Sequence, residues 1–344
     1  MRVAVVTSDV PFVEGGHRVI ARALVQALRD AGHTADMVTT PQNRFGRQLS
    51  AYWATWLTDV EVAGDGGPID RVISLRFPSY AVRHPRQVVW LNHRMREYYD
   101  LWDDLHARLS GRGRVVEGVR RRLIHAIDGR LLRRRTVIAQ SQTIQARLAR
   151  WGGIPSGVLY PPAPQRDYRC DEYNSSILVV GRLTPLKRVD LLIRAAAAAG
   201  GNWRVRIAGE GPHRADLVAL TRELGMDKRV VLLGELDEQR LVHEYAHCAG
   251  VYFGARAEDY GLVTLEAFSS SKAVVTCSDS GGPAEVVEDG VTGFVAEPTV
   301  EAVAASLARL TGEDGLAEKM GAAADQVAKK HSWADAVEHL LNAC

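Results

Sequence analysis

Twice along this chain, apolar runs of strand length alternate with amphipathic stretches of helix length, and a Pro-rich polar segment separates the two series. The first series opens with MRVAVVTSDVP, a β-rich strand that ends in a Pro-containing loop. GGHRVIARALVQALRDAGHTADMVTT follows, in which Val19, Ala23 and Ala27, with neighbouring Leu24 and Leu28, make a helical stripe ending at Gly32. ADMVTT then returns as a strand, which completes a βαβ unit. RVISL, QVVWLNH and TVIAQSQ continue the series, and the last of them feeds the helix TIQARLARWG. The segment 159–176, LYPPAPQRDYRCDEYNSS, reads as a linker. Beyond it the pattern restarts: SSILVVGRL, WRVRIAGEGP, RVVLLGEL, GVYFGA, AVVTC and TGFVAE read as strands, with VDLLIRAAAAAG, RADLVALTRELG and DEQRLVHEYAHC as helices between them. Such alternation predicts an α/β fold with a parallel sheet in each half, and 344 residues suffice for two domains. Ligands of open α/β sheets sit at the carboxyl ends of the strands, so two such domains facing one another make a cleft lined by the Gly-rich loops of each half. The chain closes with HSWADAVEHLLNAC, a helix with Trp333, Val337 and Leu340 on one face.

Composition narrows the class. Hydrophobic residues make up 46% and charged residues 24%, as in an ordinary soluble globular protein. A net charge of +2 is too small to point to nucleic acid. Cys170, Cys248, Cys277 and Cys344 lack metal or disulfide spacing, and with no signal-peptide pattern they are expected to be reduced thiols of a cytoplasmic protein. No apolar run approaches the roughly 20 residues that span a bilayer, which leaves a peripheral contact with the inner face of the membrane open. The place for one is residues 112–135, RGRVVEGVRRRLIHAIDGRLLRRR, whose only acids are Glu117 and Asp128. The plainer reading of that stretch is a solvated helix face. Abundant Arg and Ala fit a GC-rich bacterial genome.

The chemistry concentrates in residues 255–268, ARAEDYGLVTLEAF. Leu262, Leu265 and Phe268 predict a helix that begins near Gly261, with Glu266 in its second turn and Glu258 in the loop before it. A helix start offers unpaired N–H groups and partial positive charge to an anion such as phosphate. A carboxylate beside it accepts hydrogen bonds from sugar hydroxyls. Arg182 and Lys187 in GRLTPLKR lie just past the strand ILVV, where a guanidinium fork and an ammonium suit a diphosphate. Solubility charge on a loop is the competing reading. Gly15 and Gly16 follow the first strand and let a ligand approach closely, or else make a bare tight turn. His93 ends the strand QVVWLN, as a cleft partner or a structural histidine, and RMREYYDLWDD follows it to meet an acceptor or pack locally. SGGPAEVVEDG, with Gly281, Gly282 and Glu285, is a cleft border or a turn.

In order along the chain, GRLTPLKRVDLLI, IAGEGPHRADL, LGELDEQRLVHEYAHC, EDYGLVTLEAF and SDSGGPAEVVEDGVTGFV resemble the retaining glycosyltransferases of family 4, the group 1 glycosyltransferases. VPFVEGGHRVIARALVQALRDAGH and WLNHRMREYYDLW extend the resemblance more loosely to the first half. The resemblance implies a GT-B architecture of two Rossmann-like domains facing across a cleft: an acceptor-binding domain over 1–162, a nucleotide-sugar-binding domain over 163–329, and a last helix, 330–344, crossing back to the first domain. By the same resemblance, Arg182 and Lys187 bind the diphosphate, Glu266 holds the ribose and Glu258 lies near the donor sugar. Gly261 and Leu262 give backbone donors to phosphate, His93 sits near donor sugar and acceptor, and Gly16 lies in the first domain's loop near the phosphates, with Gly15 beside it as a donor-binding candidate. Asp259 and Tyr260 stand where many members carry Gly and Phe.

The expected activity is transfer of a hexosyl group from a nucleotide-diphosphate sugar, UDP- or GDP-linked, to a hydroxyl of a small molecule, glycan or glycolipid. The expected route is front-side, with retention, and needs no metal and no further cofactor. Competing readings are a nucleotide-sugar epimerase on the same architecture and a non-catalytic nucleotide-sugar-binding subunit.

Overall fold

The computed structural model describes residues 1–10, 15–42 and 45–343. The Pro-containing loop expected after the first strand and the thiol of Cys344 lie outside those residues. The chain divides into two compact units, residues 1–161 with 332–344, and residues 162–331.

Each unit is built on one parallel sheet of six strands. In the first, β1 (Arg2–Asp9), β2 (Thr34–Pro41), β3 (Arg71–Ser74), β4 (Gln87–Leu91), β5 (Thr136–Ala139) and β6 (Gly157–Val158) pair in the order β2-β1-β3-β4-β5-β6. In the second, β7 (Ser176–Val180), β8 (Arg204–Ala208), β9 (Val230–Gly234), β10 (Gly250–Tyr252), β11 (Ala273–Cys277) and β12 (Gly293–Ala296) pair in the order β12-β11-β10-β7-β8-β9. Both orders follow from right-handed crossovers that run to one side of the founding strand and then return to the other. The reversal falls between β1 and β3 in the first sheet and between β7 and β10 in the second. A crevice opens at the carboxyl ends of such strands, and ligands of α/β sheets bind there.

The strands read as near-continuous apolar runs because helices cover both faces. Ile177, Val179, Val205, Ile207, Val275 and Phe294 pack with Leu192, Ile193, Leu217 and Leu307 of the covering helices into the core of the second unit. In the first unit, Val89, Leu91, Val137 and Ala139 pack against Tyr52, Ile124, Ile144 and Leu148. The last helix, Trp333–Asn342, buries Val337 and Leu340, sets Trp333 edge-on to Trp90 with ring centroids 6.2 Å apart, and takes a hydrogen bond from Arg71 at its Leu340 carbonyl.

The structure adds elements that the sequence reading did not name, among them helices Val300–Gly312 and Leu316–Ala328. Helix Gln48–Trp56 was hidden because two tryptophans and a leucine on its outer side blur its amphipathic stripe. The segment 159–176 is no free linker: Asp171 and Glu172 N–H donate to the Ala246 carbonyl, and Tyr173 OH donates to that of Ser271, so it lies fixed on the second unit.

Candidate functional site

The loops beyond β7 and β10 carry most of the residues singled out in the sequence. After β7 the chain runs through Arg182 to a single 3-10 turn, Pro185–Lys187. Arg188 ends the turn at φ 50, a left-handed conformation that costs a non-glycine residue on the order of 1 kcal/mol or more. Its guanidinium forks onto both Asp279 oxygens at 2.6 and 2.5 Å, which over-determines that backbone. The loop is seated against the one after β8: Leu183 N–H donates to the Glu210 carbonyl at 2.9 Å, and a Cβ on Gly211 would come within 2.3 Å of the Leu183 carbonyl oxygen.

Beyond β10, the Arg256 N–H donates to the Leu186 carbonyl, tying the two crevice loops together. Glu258 is stitched to the following loop by its N–H to Ser280 and by its carbonyl, which accepts from Gly282. Its carboxylate lies 2.8 Å from the Lys187 ammonium, and the same ammonium sits 4.7 Å from the Phe253 ring centroid. Both charges are about three-quarters covered. Gly261 turns the chain into helix Leu262–Ser269 at φ 80. A Cβ there would fall 2.5 Å from Pro283 Cγ and 2.9 Å from Phe253 Cε1, so both conformation and space demand glycine. With no side chain capping this helix, its first N–H groups are left for a ligand. Arg182 stands exposed at the opening of the β7 loop.

Glu266 lies in the second turn, as the spacing predicts, and is buried. Its Oε1 accepts from Arg166 Nη1 at 2.5 Å and from Tyr168 OH at 3.2 Å, and its Oε2 accepts from Tyr245 OH at 2.8 Å. Burial works against the Arg166 charge, yet Glu266 and Tyr168 outweigh it and leave the guanidinium pKa raised. Burial first and Glu266 second push the Tyr245 hydroxyl up, so it stays a donor. Sequence reasoning missed Arg166, Tyr168 and Tyr245. The first two sit in the stretch taken as a linker, and its QRDYR pattern is the signal that was present.

The first unit gathers a second group at its own reversal point. Gly15 is extended at φ −140 and precedes helix Gly16–Asp30, and a Cβ on it would meet His17 Nδ1 at 2.9 Å. A Cβ on Gly16 would meet nothing. Arg76, two residues past β3, is buried and donates from Nη1 to His17 Nδ1 at 2.8 Å. That bond fixes His17 with its proton on Nε2. His93, two residues past β4, donates from Nδ1 to the Arg94 carbonyl at 2.6 Å, which leaves Nε2 as its acceptor. Burial and then Arg76 press both imidazoles down to about 3, so both are neutral at pH 7. His17 and Arg76 were not singled out in the sequence; each is one basic residue among many, and only the fold places them together.

Lys187 and Glu258 are therefore in contact, Gly261 and Leu262 adjoin them, and Glu266 lies one helical turn deeper among its own partners. Gly15, Gly16 and His93 belong to the first unit's group. Among the described residues, no set of three His, Cys, Asp or Glu is placed to hold a metal ion, and no helix is long and apolar enough to cross a membrane.

Residues 165–327 match the family described as "Glycosyl transferases group 1". The D-inositol 3-phosphate glycosyltransferase of Nocardia farcinica is 36% identical over 176 residues, 48% of this chain. The aligned part spans only 39% of that protein's length. Among solved structures, Anabaena HepE in complex with UDP and glucose superposes with a TM-score of 0.71 at 18% identity, over 99% of this chain and 100% of that one. Sucrose-phosphate synthase from Thermosynechococcus elongatus superposes with a TM-score of 0.76 at 18% identity, over 98% and 97%. The fold of the two sheets is the GT-B fold that these structures share.

Proposed function

We propose that this chain, whose residues 165–327 match the group 1 glycosyltransferases, moves a sugar from a nucleotide-diphosphate sugar to an acceptor hydroxyl. The observation that carries the reading is the β7–β10 crevice, where Lys187 and Glu258 meet in the loops that lead to the glycine-started helix. UDP is the first donor nucleotide to test, because HepE was solved with UDP and glucose; GDP is the second.

The diphosphate lies across the N-terminus of helix Leu262–Ser269, with Lys187 and Arg182 beside it. Those donors neutralise the charge that develops as the sugar–phosphate bond breaks, and the step then needs no metal. Glu258 holds the Lys187 ammonium toward the crevice and faces the sugar, where it orients hydroxyls and eases oxocarbenium charge. Glu266 accepts from the ribose while Arg166 and Tyr245 keep it aimed. The acceptor hydroxyl attacks from the face the diphosphate leaves and gives its proton to a departing phosphate oxygen, so configuration is retained. His93 offers Nε2 as a neutral acceptor to a substrate hydroxyl.

Incubation with labelled UDP- and GDP-sugars and a lipid and metabolite extract tests this. A glycosylated product with the anomeric configuration of the donor is expected. Nucleotide binding without any transfer, or epimerised donor as the product, would contradict it.

The acceptor reading includes a membrane surface, favoured by helix Gly111–Leu132. Its two acids turn inward: Glu117 accepts from Tyr98, and Asp128 accepts from Tyr80 and Tyr99. The outer side then carries Arg112, Arg114 and Arg122 with exposed Val115, Val119 and Leu123. Tyr52 also bonds to Asp128, which sets helix Gln48–Trp56 alongside, with Trp53 64% exposed and stacked on Trp56. A helix whose arginines are exposed and whose own acids are buried, beside exposed tryptophans, suits an anionic bilayer face. Sedimentation with phosphatidylglycerol vesicles, and not with phosphatidylcholine vesicles, is the expected result; sedimentation with neither, or equally with both, would remove the surface from the account.

A further inference from the structure

Lys272 is wholly buried, yet among the described residues no carboxylate pairs with it. Its ammonium donates to the Glu172 carbonyl at 2.5 Å and to Cys170 Sγ at 3.1 Å, and lies 3.7 Å from the Tyr173 ring centroid. A buried charge is costly unless its donors find acceptors and its charge a counter-charge. The carbonyl and the ring are neutral, and the third contacting group is the Cys170 sulfur. Cys170 is itself exposed, so a reagent reaches from solvent a sulfur whose counter-ion is built into the protein. Cys248 and Cys277 are buried, and burial drives the Cys248 thiol up to about 12, which leaves it inert.

The surrounding chain holds this geometry. Asp171 and Glu172 are pinned to the Ala246 carbonyl, and Asn174 N–H to that of His247. Lys272 N–H donates to the Ala267 carbonyl at the end of the helix that bears Glu266. Tyr173 OH is anchored on the Ser271 carbonyl. The sulfur and the ammonium are therefore presented to each other by two segments that are each fixed by backbone bonds.

We propose that Cys170 is a thiol-modification site, with Lys272 as its built-in counter-ion, open to peroxides and to carbon electrophiles. With hydrogen peroxide, the sulfur anion attacks one oxygen: an S–O bond forms, the O–O bond breaks, and the departing hydroxide takes a proton from solvent to leave as water. Sulfur is oxidised by two electrons to the sulfenic acid and the peroxide is reduced. With iodoacetamide, an S–C bond forms and iodide leaves. Neither step rests on the glycosyltransferase reading, and both are read without sugar donor or acceptor.

The test uses the full chain with Cys344→Ser, so that Cys170 is the exposed thiol. Its iodoacetamide rate at pH 7, followed by peptide mass, is compared with the same chain unfolded in urea and with Lys272→Met. A folded-state rate about fivefold or more above the unfolded one is expected, because a neighbouring ammonium favours the nucleophilic thiolate. Lys272→Met brings the rate down to the unfolded value; should that variant not fold, the folded-to-unfolded ratio of the parent decides alone. Dilute peroxide adds one oxygen to the Cys170 peptide, trapped by dimedone. A folded-state rate equal to or below the unfolded one would overturn the proposal and leave Lys272 a structural donor to the Glu172 carbonyl.

Discussion

At the reversal point of the second sheet, Lys187 and Glu258 meet at 2.8 Å as an ion pair; at that of the first sheet, Arg76 meets a neutral His17 at the same distance. Both points come from one topology, a founding strand whose neighbours lie to either side of it. The second is packed backbone to backbone, with Gly211 and Gly261 where a side chain would collide. The first has open space at Gly16 and two imidazoles whose protons are set by the bonds they make. A charged, tightly seated crevice suits a ligand of fixed chemistry such as a diphosphate. Neutral donors and acceptors around a buried guanidinium suit hydroxyl groups, which differ from one acceptor to another.

The comparison breaks most readily at the cations. Lys187→Ala and Arg182→Ala are each expected to lower kcat/KM by about 100- to 1,000-fold, the usual cost of one donor to developing charge. Turnover within a few-fold of the parent would place the diphosphate elsewhere. Next in size is Arg166→Ala, which leaves buried Glu266 without its guanidinium. Breaking such a pair costs about 3 kcal/mol, and urea unfolding should show it, with Arg166→Lys recovering little because an ammonium lacks the fork. An unchanged midpoint would mean that Tyr168 and Tyr245 suffice.

The smallest effect separates the two points by pH. His17 and His93 stay neutral in the fold down to about 3, whereas an unfolded histidine titrates near 6.5. Below about 6.5 the unfolded chain binds protons that the fold refuses, so stability falls as pH drops toward 3. His17→Asn should flatten that fall between pH 6.5 and 4 in paired unfolding curves. A slope unaltered by His17→Asn would show that its imidazole protonates in the fold.

The strand alternation was legible from the first apolar run to TGFVAE, because strands buried on both faces write themselves as continuous Val, Ile and Leu; helices Val300–Gly312 and Leu316–Ala328 were not read. Glu258, Gly261 and Glu266 were legible for a different reason: they fall within nine residues of one loop and the helix it feeds. Arg166 and Tyr168 were not, since they reach Glu266 from about a hundred residues away through a segment whose Pro-rich, polar make-up reads as a connection. Arg76 and His17 were hidden likewise, being joined only when β1 and β3 pair. Helix Gln48–Trp56 escaped because exposed tryptophans defeat the rule that apolar residues mark the buried side.

The central claim is that the β7–β10 crevice takes a nucleoside diphosphate. Thermal unfolding with UDP, GDP, UMP and NAD, each added alone, tests it most directly. At about 100 times its dissociation constant, a ligand of the fold stabilises by about 2.7 kcal/mol. The account predicts a raised Tm with UDP or GDP, a smaller shift with UMP, and loss of the shift in Glu266→Ala. A shift with NAD alone, or a diphosphate shift that Lys187→Ala and Glu266→Ala both leave intact, would contradict it.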